Sequence, residues 1–268
     1  MFHTIKIGAL EYLTADTLSG SLHGFSTRLG GVSEGHLSSL NLGVHRGDRF
    51  ENVVENYRIL GSAIGFLPEE TVLTCQRHTS CILRVQKSDC GTGLFREQET
   101  VCDGLVTNEP GVALVCFSAD CAPVLLYDPV KKAIAAVHSG WRGTAQGIAA
   151  EAVSMLCREF GSKPLDIRAA IGPSIGQCCF ETDADVPEAM QNALGSEAEG
   201  YIQKRGAKYF VDNKGLCTLW LRRAGVAQID VSEDCTMCQP SRFWSHRVTR
   251  GARGSLAAII KLPEESTP

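Results

Sequence analysis

Two apolar runs separated by a short polar break constrain this chain most tightly. Val124-Leu125-Leu126-Tyr127 and Ala133-Ile134-Ala135-Ala136-Val137 flank Asp128-Pro129-Val130-Lys131-Lys132. Asp can bond the backbone ahead of it and Pro presets its own backbone angle, so Asp-Pro initiates a turn. The two runs therefore read as a hairpin. If Asp128 pairs with Ala133 across a four-residue loop, His138 faces Pro123, and Cys121 lies on the same face, one diagonal away. Diagonal neighbours are roughly 7–8 Å apart at the backbone, within side-chain reach of a shared ion. A loop one residue shorter or longer would put the two side chains on opposite faces.

A thiolate and an imidazole at that separation suit zinc, which takes sulfur at about 2.3 Å and nitrogen at about 2.0–2.1 Å. The leading candidate for a third ligand is His78, in the short turn Gln76-Arg77-His78-Thr79-Ser80 between two strand-like runs. Three protein ligands leave a fourth position open for water or substrate, the mark of a catalytic rather than a structural site. The plainer reading makes each histidine a hydrogen-bonded core residue and the cysteine a packing residue. Gly140–Thr144 follows the second apolar run and opens a helix expected to begin near Ala145. Such a turn, with Gly143 in it and Arg142 adding positive charge, can hold a phosphate or carboxylate.

Elsewhere, strand signals recur at Leu22–Thr27, Thr71–Gln76, Cys81–Gln86, Val112–Ser118 and Ile167–Ile171. Helical spacing links Val53, Tyr57, Leu60 and Ile64, and again Ile148, Ala152, Met155 and Leu156. A third helix is expected over Leu216–Ala224, ended by Gly225. The expected fold class is α/β, or α+β, with mixed sheets flanked by helices in a single domain over 1–268. Arg28–Asp48 and Gly172–Glu181 resist this pattern, and long irregular loops in a compact domain are usually functional or disordered.

The net charge of -4 offers no basic footprint for nucleic acid. No apolar run is long enough to cross a bilayer as a helix, and the first residues lack a secretory pattern. The expectation is a cytoplasmic protein, monomer or weak homodimer, without nucleic-acid or membrane partners. Its twelve cysteines are then thiols or ligands before disulfides. Cys81, Cys116 and Cys157 sit in apolar contexts and read as packing residues. Cys235-Thr236-Met237-Cys238 has no second C-x-x-C pair, which argues against structural zinc.

Ala119-Asp120-Cys121-Ala122-Pro123 followed by Val137-His138-Ser139-Gly140-Trp141-Arg142-Gly143-Thr144 closely resembles the laccase-domain family. Its members are also called multicopper polyphenol oxidoreductases or peptidoglycan-editing factors. The resemblance extends through Gly24-Phe25-Ser26-Thr27-Arg28, Leu40-Asn41-Leu42-Gly43, Asp103-Gly104-Leu105-Val106-Thr107, Ile171-Gly172-Pro173-Ser174-Ile175 and Ser245-His246-Arg247, nearly the whole chain. It implies a CNF/YfiH-like fold and metal ligation by His78, Cys121 and His138. It also brings Arg28 and Asn41 toward the metal pocket and favours Cys178, with Cys179, as pocket-lining. One departure is Thr79, where the pattern Gln-x-His-Gly would place glycine.

The resemblance implies a zinc enzyme acting on purine nucleosides. Family members phosphorolyse adenosine, inosine, guanosine and methylthioadenosine, and deaminate adenosine. Phosphate and a purine nucleoside are then the small-molecule partners. Copper-dependent polyphenol oxidation is the family's other label, but multicopper oxidases typically bind copper through His-x-His pairs, and this chain has seven histidines and no such pair. Copper could still enter the single site, since the divalent affinity order favours it. Two alternatives belong to other classes: a cytosolic hydrolase editing peptidoglycan precursors at an amide, and a non-catalytic binding protein whose structural metal takes Cys178 or Cys179 as a closing ligand.

Overall fold

The computed structural model describes residues 1–264, so the last four residues of the domain expected over 1–268 lie outside the described residues. The chain opens with β1 (Phe2–Ile7), β2 (Leu10–Ala15) and β3 (Leu22–Ser26), then α1 (Phe50–Ile64). Next come β4 (Thr71–Leu73), β5 (Ile82–Arg84), β6 (Gly104–Thr107), β7 (Ala113–Ser118), β8 (Ala122–Asp128) and β9 (Ala133–Ser139). Two helices, α2 (Trp141–Ala145) and α3 (Ile148–Phe160), lead to β10 (Arg168–Ile171) and β11 (Glu181–Thr182). The remainder is α4 (Asp185–Leu194), β12 (Ile202–Arg205), β13 (Lys208–Val211), α5 (Asn213–Arg223), β14 (Gln228–Val231), α6 (His246–Thr249) and β15 (Leu256–Lys261).

The strands form two six-stranded sheets, β1-β2-β3-β15-β7-β4 and β14-β10-β8-β9-β6-β5, and a small sheet β11-β13-β12. Each large sheet is mixed: β4/β7, β5/β6 and β10/β14 are parallel, the other pairs antiparallel. The fold is α/β with helices outside mixed sheets, in agreement with the sequence.

The central hairpin explains the layering. Every residue of β8 and β9 is buried, because side chains alternate between two covered faces. Leu125, Tyr127, Ile134 and Ala136 point between the large sheets, where they meet Phe25, Leu114, Cys116, Leu256 and Ala258. Val124, Leu126, Ala135 and Val137 point outward onto Ile148, Ala152 and Leu156 of α3 and Leu221 of α5. On the far side Val53, Tyr57, Leu60 and Ile64 cover Val115 and Ile259 of the first sheet. Those four are the helically spaced residues of α1, which stops at Gly65 in the left-handed conformation (φ 106°).

The hairpin register is the one read from the turn. Asp128 pairs with Ala133 and Pro123 with His138. Asp128 Oδ1 accepts the N–H groups of Val130 at 2.8 Å and Lys131 at 3.0 Å, closing the turn. Two expectations need correction. The helix placed near Ala145 begins at Trp141, so Gly140–Thr144 is mostly helix rather than a loop ahead of one. Cys81 is exposed, because β5 starts one residue later and turns it to solvent. No helix among the described residues is long and apolar enough to cross a membrane.

Candidate metal centre

β9 ends by carrying His138 to the edge of the sandwich, and Cys121 stands immediately before β8 on the neighbouring strand. The turn after β4 brings in His78. One ligand atom from each of His78, Cys121 and His138 lies within 4.8 Å of the others, and no fourth His, Cys, Asp or Glu joins the group among the described residues. Cys121 Sγ is 3.8 Å from His78 Nε2. A tetrahedral zinc ion with ordinary bond lengths separates its sulfur and nitrogen ligands by about 3.6 Å. The two imidazoles stand edge to face, with centroids 4.9 Å apart and planes at 81°, so their nitrogens converge without stacking.

Asp103, fully buried just before β6, holds this arrangement. Its carboxylate accepts from His138 Nδ1 at 2.8 Å, from the N–H groups of Arg77, His78 and Thr79 at 3.0, 2.9 and 2.8 Å, and from the Thr79 hydroxyl at 2.8 Å. A carboxylate on the far nitrogen of a ligating histidine fixes the tautomer and ring orientation. Here it also fixes the loop that carries the second histidine. The left-handed residue of that loop is His78 (φ 61°), not residue 79. Thr79 therefore fits where a glycine was expected, and it gives Asp103 two donors. Gly140 has the opposite constraint: a Cβ there would stand 2.5 Å from His78 Cδ2 and 3.2 Å from Cys121 Sγ.

The electrostatics suit a cation. Burial alone would push the Cys121 thiol up, but the facing His138 and His78 pull it down to about 6. Burial would lower His138, yet the Cys121 thiolate and the Asp103 carboxylate raise it to about 9. Hydrogen bonds from His138 and the loop amides outweigh burial and keep Asp103 well below the usual carboxylate range. Two soft-to-borderline donors and a thiolate, mutually spaced for one ion and oriented by a carboxylate, fit zinc or copper.

The group opens onto a cavity of about 270 Å³ lined by His78, Cys121, Trp141, Phe180, Asn213, His246, Arg247 and Arg253, with Ala119, Asp120 and Ile175. Arg253 is half-buried with its Nε lacking a partner, and burial together with Arg46 lowers its guanidinium to about 10. Asn213 donates to the Ser139 carbonyl at 3.0 Å while its Oδ1 has no partner. Burial and Arg253 hold His246 below its ordinary value. Both Asp120 oxygens are already engaged, by the Thr236 hydroxyl at 2.6 Å and the Arg247 N–H at 2.7 Å.

The remaining sequence candidates lie away from this cavity. Arg28 donates to the carbonyls of Ser38 and Pro240 and stacks over Trp244 at 3.7 Å. Asn41 is fully buried and ties Gly43, Asp48 and Ser255 together. Both shape the long loop rather than line the pocket. Arg142 is exposed and lies over Trp141 at 4.1 Å. Gly143 is buried close under the Thr79 carbonyl, and the Thr144 N–H is spent on the Gly140 carbonyl. The cationic groups that line the pocket come instead from Arg247 and Arg253, beside His246, and of these only Ser245-His246-Arg247 carried a sequence signal. Cys178 and Cys179 turn away from the cavity to meet Cys235 and Cys238, so the C-x-x-C does have a second pair.

Residues 22–263 match a family model described as multi-copper polyphenol oxidoreductase laccase. The chain is 38% identical over 258 residues to the purine nucleoside phosphorylase YlmD of Geobacillus stearothermophilus, covering 94% of each. It is 37% identical to the purine nucleoside phosphorylase YlmD of Bacillus subtilis, over 90% of this chain and 88% of that one. A crystal structure of the Bacillus licheniformis hypothetical protein YfiH superposes with a TM-score of 0.91 at 35% identity, covering 96% of this chain and 98% of that one.

Proposed function

This chain belongs to the multi-copper polyphenol oxidoreductase laccase family, and from that premise we propose that it is a zinc-dependent purine nucleoside enzyme. It phosphorolyses adenosine, inosine, guanosine and methylthioadenosine and deaminates adenosine, with His78, Cys121 and His138 holding the metal. One observation carries the reading: His78 and Cys121 of the His/Cys/His group line a single cavity with Arg247 and Arg253. Relatives that bear the name purine nucleoside phosphorylase supply the substrate class.

Zinc at this group would supply a Lewis acid able to polarise an oxygen and to bring the pKa of a water to about 7. The side chains account for the rest. Arg253 and Arg247, which line the cavity, hold phosphate at its wall. Trp141 and Phe180 give the purine apolar faces. In phosphorolysis a phosphate oxygen bonds the anomeric carbon as the bond to the purine nitrogen breaks, giving the free base and ribose 1-phosphate. In deamination water adds at the amino-bearing ring carbon and ammonia leaves. His246, neutral at pH 7, can take the proton that water gives up.

The test is product analysis of zinc-loaded protein incubated with adenosine, with and without phosphate, beside Cys121→Ala. Adenine and ribose 1-phosphate that require phosphate, and inosine that does not, are expected from the parent and absent from the variant. Intact adenosine together with copper-dependent phenol oxidation, or with cleavage of a peptidoglycan-precursor amide, would overturn the assignment.

A further inference from the structure

We infer that Cys178, Cys179, Cys235 and Cys238 form a second metal site, a structural zinc tetrathiolate separate from the His/Cys/His group. One sulfur from each of the four lies within 4.8 Å of the others. Cys238 Sγ is 3.7 Å from Cys178 Sγ and 3.3 Å from Cys179 Sγ. A disulfide would hold the sulfurs at about 2.03–2.05 Å, whereas the edge of a tetrahedron with zinc–sulfur bonds of about 2.3 Å is about 3.8 Å. Four protein sulfurs leave no position for water, which is the pattern of a structural rather than a catalytic ion.

The topology explains why cysteines some 60 residues apart meet. β10 and β14 run parallel as neighbours, so the chain leaves both at the same edge of the sheet. Beyond that edge Ser174 still pairs with Cys235, and Thr236 N–H donates to the Ser174 carbonyl at 3.1 Å. Gly176 N–H then donates to Cys235 Sγ at 3.1 Å, the kind of outer hydrogen bond that steadies a ligating thiolate. The buried ammonium of Lys214 lies just behind, bound to the carbonyls of Ser232 and Asp234 (3.0 Å to the latter). Its positive charge partly offsets that of a tetrathiolate. Cys178 and Cys238 are exposed, so an ion reaches this site without passing through the first.

The position gives the site a role. Of the two loops it would clamp, the one between β10 and β11 carries Ile175 and Phe180, which line the candidate cavity. Thr236, inside the C-x-x-C, donates to Asp120. Asp120 stands in a left-handed conformation (φ 93°) directly before the ligand Cys121. A tetrathiolate ion thus pins the pocket wall and the backbone that aims the first site's sulfur.

Metal content tests this. The full chain is equilibrated with zinc under reducing conditions beside Cys121→Ala and the double variant Cys235→Ser/Cys238→Ser. Two zinc ions per chain are expected in the parent and one in each variant. X-ray absorption on Cys121→Ala is expected to find a sulfur-only shell at about 2.3 Å. A parent with one zinc that Cys121→Ala loses entirely would overturn the site, as would a mass lacking two hydrogens because a disulfide has formed within the cluster. Should the double variant fail to fold, Cys121→Ala decides alone, since it leaves all four thiols in place.

Discussion

Asp103 ties the candidate centre together, because one carboxylate orients His138 and the loop of His78. Replacing an outer partner of a metal ligand typically costs 10–100-fold in affinity. Asp103→Asn is expected to weaken zinc binding by about that factor in a chelator competition, whereas unchanged affinity would remove Asp103 from the account. The Cys121–His138 pair makes a second claim. With Cys121 near 6 and His138 near 9, the metal-free pair at pH 7.5 is a thiolate beside an imidazolium. Zinc takes both groups deprotonated, so binding must expel the His138 proton. Affinity is then expected to rise about tenfold per pH unit between those values. Calorimetry in buffers of different ionisation enthalpy should read about one proton released per zinc at pH 7.5. Release of none would contradict the pairing.

At the scale of elements, the β8–β9 hairpin was legible because a turn residue and a two-residue period fix register locally. Asp128-Pro129 set the loop length, and the pairing of Pro123 with His138 followed. The loop Arg28–Asp48 was legible only as an exception. Its order comes from distant partners: Asn41 reaches Ser255, and Asn56 of α1 reaches Ser33 and the Asn41 carbonyl. No local spacing announces such bonds. Asn41→Ala strips partners from the buried N–H groups of Gly43 and Ser255 and is expected to cost about 2–3 kcal/mol in urea unfolding. The Michaelis constant for nucleoside should stay put; a large rise with unchanged stability would restore Asn41 to the pocket. Some strands escaped the sequence reading for want of a local signal. β1 is largely exposed and buries no alternating face, and the short strands β11 and β12 carry too few apolar residues to stand out from loop.

At the scale of the molecule, two sheets packed face to face bring the chain's centre and its C-terminal region to one end of the sandwich. That closure explains why the residues of the candidate centre were readable and the pocket around them was not. His78, Cys121 and His138 announce themselves by residue type and by the hairpin register. Arg253 lies in a glycine-flanked loop between α6 and β15, and only the pairing of β15 between β3 and β7 brings that loop to the cavity. Arg142 stood next to the ligands in sequence and took the anion-binding role on that ground, but the early start of α2 turns it to solvent.

The central claim, that phosphate meets the nucleoside in the cavity shared by the candidate metal ligands with Arg247 and Arg253, is tested most directly by the phosphate dependence of adenine release from adenosine. Arg253→Gln is expected to raise the Michaelis constant for phosphate at least about tenfold, the equivalent of one lost charge-assisted contact, while Arg142→Ala leaves it unchanged. The reverse pattern, Arg142→Ala impaired and Arg253→Gln normal, would place phosphate outside this cavity and contradict the account.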